Sequence, residues 1–84
     1  MKKLFSPELQ LSALHCLAGV VSAHLARRGI DHLITQVDLV YYFNLECESL
    51  EDVELDRLIK VVRGFNGSFR IECASDFLVL VLYL

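Results

Sequence analysis

The chain has little of what enzyme and metal motifs require. Cysteine occurs three times, at Cys16, Cys47 and Cys73, with no CxxC and no close pair. That spells neither a disulfide framework nor a zinc site; it reads as free thiols in a reducing compartment. The histidines His15, His24 and His32 are spaced so that no two fall on one helical face at i, i+4. No metal is expected on that pattern, and no cofactor. There is no glycine-rich phosphate loop, no G-x-S-x-G and no EF-hand spacing, so no catalytic residue is assigned and the protein reads as not an enzyme. No apolar run approaches the roughly 20 residues of a spanning helix, and no leader with an A-x-A-like cleavage site is apparent, so a cytoplasmic protein without membrane attachment is expected. Cations are also scarce. Eight Lys and Arg against eleven Asp and Glu give a net charge of −3, which disfavours a generic nucleic-acid binder.

What the chain does have is apolar surface. Its 84 residues make a single domain, residues 1–84, and 55% of them are hydrophobic against a usual ~45–50%. A domain this small buries about two thirds of its unfolded surface. The excess points to a homodimer or a larger partner.

A long first helix is expected over about 7–28. Ser6, Pro7 and Glu8 suit its start, and Arg27, Arg28 and Gly29 its end. Leu11, Leu14, Ala18, Val21 and Leu25 form one apolar stripe, with Leu9, Ala13, Cys16, Val20 and Ala23 beside it. Ser12, His15, Gly19, Ser22 and Ala26 form a third side of mostly small residues. Such a helix is covered on most sides. The small stripe fits either close packing on a sheet or a helix–helix contact across a dimer two-fold.

The run "LITQVDLVYYFNLEC" alternates and reads as one strand over about 34–47, with Val37, Leu39, Tyr41, Phe43, Leu45 and Cys47 on one face. A second, ordinarily amphipathic helix is expected over about 50–64, opened by a capping-box-like Ser49-Leu50-Glu51-Asp52. Strands follow over about 68–74 and 77–84, joined at Ser75-Asp76 as a hairpin. The last, "FLVLVLYL", is apolar on both faces and belongs at the centre of a sheet. The expected fold is therefore α+β: a long N-terminal helix, then a split β-α-β-β unit with a three-stranded antiparallel sheet of order 1-3-2.

Three groupings bear on function. The acidic run Glu46, Glu48, Glu51, Asp52, Glu54 and Asp56 is part helix cap and part candidate patch for a basic protein partner. Ser12, Gly19 and Ser22 on the first helix, with Val40 and Tyr42 on the strand, are candidate dimer or apolar contacts. Arg57, Lys60 and Arg63 make a basic streak that, with Tyr42, defines the alternative of a small nucleic-acid-binding module; "RGFNGSFRI" resembles the aromatic RNA-recognition signature but carries an extra residue. A further alternative is a small-ligand binder or enzyme with a site from His15, Cys16 or His24. The expected function is contact without chemistry: a homodimeric regulator or inhibitor that binds a larger partner, in the manner of phage-borne inhibitors such as anti-CRISPR proteins. That likeness is one of size and mode, with no motif behind it.

Overall fold

The computed structural model describes residues 7–47 and 49–84. The expected cap at Ser6 and the acidic Glu48 lie outside the described residues. The elements run α1 (Pro7–Arg27), β1 (His32–Val37), β2 (Val40–Leu45), α2 (Asp52–Gly64), β3 (Ser68–Cys73) and β4 (Leu78–Tyr83).

The two helices end alike. After α1, Gly29 takes φ +74, while Ile30 N–H donates to Leu25 O at 2.9 Å and Gly29 N–H to Ala26 O at 3.0 Å. After α2, Asn66 takes φ 58, with Gly67 N–H donating to Val62 O and Asn66 N–H to Arg63 O, both at 3.0 Å. Each is a Schellman closure, in which a left-handed residue turns the chain and two carbonyls of the last turn accept the returning N–H groups. The start of α2 differs from expectation. Its N-cap is Glu51, which makes no side-chain cap bond, so the capping box at Ser49 does not form.

The expected strand over 34–47 is two strands joined by a tight hairpin. Val37 pairs with Val40, leaving Asp38 and Leu39 as the loop. Asp38 takes φ 53, a left-handed conformation that aspartate tolerates better than most residues, and Gln36 Nε2 donates to its carbonyl at 3.2 Å. The sheet consequently has four strands in the order β1-β2-β4-β3, all neighbours antiparallel, in place of three strands in the order 1-3-2. The C-terminal strand is paired on both sides, between β2 and β3.

Pairing fixes which residues share a face. One face carries the rows His32–Leu45–Leu78–Cys73, Ile34–Phe43–Leu80–Ile71 and Gln36–Tyr41–Leu82–Phe69. Both helices pack here: Leu14, Leu17, Val21 and Leu25 of α1 and Leu58 and Val62 of α2 close over Tyr41, Phe43, Leu45, Leu78, Leu80 and Leu82. Phe43, Leu80 and Leu82 are fully buried. Gly67 sits in this seam because it has no side chain: a Cβ there would collide with Leu17 Cδ2 and lie 3.2 Å from Val62 Cγ1. The hairpin also reverses one expected assignment. Val37 lies opposite Val40, on the other face from Tyr41 and Phe43, because a two-residue loop places directly opposed residues on one side of the sheet.

Candidate functional site

No described element crosses the second face of the sheet. Alternation puts Leu33, Thr35 and Val37 of β1, Val40, Tyr42 and Asn44 of β2, Val79, Val81 and Tyr83 of β4, and Ser68, Arg70 and Glu72 of β3 on it. Its two complete cross-strand rows are Leu33–Asn44–Val79–Glu72 and Thr35–Tyr42–Val81–Arg70. The surface is aliphatic and aromatic at the centre, with an ion pair at one margin: Arg70 Nε donates to Glu72 Oε2 at 2.8 Å. The hydrogen bond to Glu72 raises the Arg70 pKa above its ordinary value.

Val81 shows how this face is built. It is only 1% exposed, yet it is not part of the core under the helices. Its cross-strand neighbours are the long side chains of Tyr42 and Arg70. Among the described residues no second layer lies over it, and the tops of those side chains become the presented surface. Leu33 and Val37 are 65% and 53% exposed at the β1 margin.

The candidate contact residues fall into two groups. Val40 and Tyr42 lie on the open face. Ser12, Gly19 and Ser22 lie on α1, on the opposite side of the sheet. Ser22 Oγ is hydrogen-bonded to His32 Nε2 at 2.8 Å, and His32 Nδ1 donates to Ile30 O at 3.0 Å, so Ser22 ties α1 to β1. Gly19 has open space where a side chain would sit, so no described residue packs closely on it.

The acidic group is divided too. Glu46, Glu51 and Asp52 are exposed, beside the start of α2. Glu54 is engaged within the chain. Its carboxylate takes Arg28 Nε at 2.9 Å and Arg28 Nη2 at 2.7 Å, clasping the end of α1 to the first turn of α2. That pair lowers the Glu54 pKa through the hydrogen bond from Arg28. Both charges also sit where the helix dipoles favour them.

The residues proposed for chemistry are not brought together. His15 Nδ1 is hydrogen-bonded to Tyr41 Oη at 2.8 Å, beside a shallow groove of about 380 Å³ lined by Leu11, Ser12, His15, Cys16, Gln36 and Tyr41. His24 is elsewhere, buried to 8% exposure near the helix clasp, its Nε2 without a partner. Its pKa is pushed below the ordinary 6.5, first by desolvation and then by Arg27, with Glu54 opposing. Cys16 and Cys73 are exposed; Cys73 points to the helix face but sits where an edge strand ends. Partial burial raises the Cys47 thiol pKa, against a hydrogen bond with the Ser49 backbone that lowers it. Among the described residues no cluster of His, Cys, Asp and Glu could hold a metal ion, and no helix is long and apolar enough to cross a membrane.

The basic streak is likewise separate from its aromatic. Arg57, Lys60 and Arg63 are exposed on α2, which covers the face away from Tyr42. Phe69, in the stretch resembling the RNA signature, faces the helices, where a base could not stack on it. No protein-family model matches the chain, and no curated protein matches it.

Proposed function

We propose that this is a non-enzymatic interaction protein, a regulator or inhibitor, that binds a larger protein partner through the open face of its sheet and associates as a homodimer. The observation that carries the reading is the one-sided placement of the helices. It leaves Val40, Tyr42, Val79 and Tyr83 presented on a sheet that no described part of the chain covers. Contiguous apolar surface with aromatic anchors and a charged margin is the usual composition of a protein contact. Glu46, Glu51 and Asp52 supply a separate negative patch that would steer a basic partner toward the molecule. The three free thiols suit the cytoplasm. Small inhibitors, anti-CRISPR proteins among them, act by contact of this sort; the comparison is one of size and mode.

The experiment is a charge placed at the centre of the face. Val79→Lys points between Asn44 and Glu72, where the new ammonium gains a carboxylate neighbour, so folding is retained. Partners are captured from the host with the parent protein and with this variant and identified by mass spectrometry. A partner lost with Val79→Lys, while the circular dichroism spectrum is unchanged, supports the open face. Retention by Val79→Lys together with loss by Glu46→Lys/Glu51→Lys would transfer the contact to the acidic surface. A partner indifferent to both sets of changes would sink the reading.

A further inference from the structure

The two outer strands of the sheet are chemically unlike. β3 carries Arg70 and Glu72, and charges of that kind guard an edge against pairing. β1, His32-Leu-Ile-Thr-Gln-Val37, has no Lys, Arg, Asp or Glu and no proline, and among the described residues nothing pairs with its outer side. Its apolar side chains are exposed toward both faces: Leu33 and Val37 on the open side, Ile34 at 45% on the helix side. An unguarded strand of this kind is a template for another strand.

We propose that β1 pairs with β1 of a second copy, antiparallel about a two-fold axis, to make one continuous eight-stranded sheet. This deepens the homodimer part of the function proposed above and rests on it.

Hydrogen-bond parity limits the register. Glu46 N–H donates to Asp31 O at 2.9 Å, and the tight hairpin closes at Val37–Val40. Residues 31, 33, 35 and 37 therefore spend their backbone groups on β2. His32, Ile34 and Gln36 direct theirs outward. Outward residues must meet outward residues, so the two residue numbers of any opposed pair sum to an even value. The register that would set Asp31 against Asp38 of the second copy sums to an odd value and is excluded, which keeps those carboxylates apart. Among the allowed registers, the one centred on Thr35 opposes Leu33 to Val37 of the second copy, twice over by symmetry, and Thr35 to itself. It brings His32 against Asp38, so that carboxylate has no like charge opposite. The other allowed registers oppose at most one aliphatic pair within β1, such as Ile34 to itself when the axis lies at Ile34, so the Thr35 register opposes the most. The arrangement is closed, because each copy uses its β1 and the charged β3 edges are left outermost. It also lays two open faces side by side, doubling the surface offered to a partner.

A six-residue strand is about 20 Å long, and pairing along it hides a few hundred Å² on each side, against about 800 Å² in a standard interface. The expected dimer is therefore in concentration-dependent equilibrium with monomer. Sedimentation equilibrium of the full chain should show the mass rising toward two chains from micromolar to near-millimolar concentration. Ile34→Pro removes an outward N–H, the one place an edge strand tolerates proline, and should stay monomeric with an unchanged far-ultraviolet spectrum. In a Cys16→Ser/Cys73→Ser background, Thr35→Cys should oxidise to a disulfide dimer. Its two copies meet in a non-hydrogen-bonded pair, with Cα atoms about 4.5 Å apart, within disulfide reach. Val37→Cys, whose copies lie roughly 13 Å apart in that register, should not. A strict monomer at every concentration overturns both this pairing and the homodimer reading. A dimer that survives Ile34→Pro, cross-links no better at Thr35→Cys than at Val37→Cys, and dissociates with Val79→Lys overturns the β1 pairing alone and moves the two-fold to the open face.

Discussion

The two faces of this sheet are written by one alternation and protected in two different ways. On the helix side, Phe43, Leu80 and Leu82 disappear beneath α1 and α2. On the open side, Val81 disappears just as completely between its neighbours on the sheet, and the remaining apolar groups stay in contact with water. Burial by a second layer fixes the fold. Burial by cross-strand neighbours leaves a surface that is ordered and still available. The difference separates what stabilises the molecule from what it presents.

Substitutions at matched positions sharpen that contrast. Phe43→Ala empties the centre of the helix side and should cost about 3–5 kcal/mol in a denaturant titration, enough to leave a small domain largely unfolded. A loss below about 1 kcal/mol would mean that the helices do not seal that face. Val81→Ala should cost less, about 1–3 kcal/mol, because its cover is made of long side chains free to resettle. A cost equal to that of Phe43→Ala would erase the distinction drawn between the faces.

A third test concerns the junction of the two helices. The folded-state pKa of His24 lies below 6.5 because burial penalises the imidazolium. The unfolded chain therefore binds the proton more readily. The stabilising contribution is complete above about pH 6.5 and is lost as pH falls through that value toward the folded pKa. Denaturant midpoints should decline from pH 7.5 to pH 5, and His24→Leu should flatten that part of the profile. The same slope in the variant would remove His24 as its cause. The smallest effect is expected at the clasp. Arg28→Ala removes a solvent-exposed ion pair, so the change in melting temperature should be slight and should shrink further in high salt. A large, salt-independent loss would make that clasp a structural element of the fold.

Some of this could be read from the chain. "FLVLVLYL" announced a central strand because it is apolar on both faces, and β4 is paired on both sides. Gly29 marked the end of α1 because the Schellman turn needs a left-handed residue there. The hairpin at Asp38-Leu39 was hidden. It lacks the glycine that usually signals such turns, and apolar residues on both sides let the alternation run through it unbroken. That miss put Val37 on the wrong face and concealed β1 as a free edge. Of the candidate surface, Val40 and Tyr42 were legible from alternation. Which side the long helix covers was not, since α1 is apolar or small nearly all round and its pattern points no single way. Nor could spacing show that Glu54 would be taken by Arg28, a partner 26 residues earlier.

The place of β4 also sets a timetable for the ribosome. The strand that joins β2 to β3 is translated after both of them, so until Leu78 to Tyr83 emerge the two have no common neighbour. The β1–β2 hairpin and the helices can form early from local contacts, but Phe43 gains its flanking Leu80 only once β4 has been made. Before that moment the nascent chain holds β2 with one edge unpaired and its apolar side half roofed. A chain interrupted ahead of Leu78 would keep that edge open, and would be recognised as incomplete by any chaperone or protease that binds unpaired apolar strands.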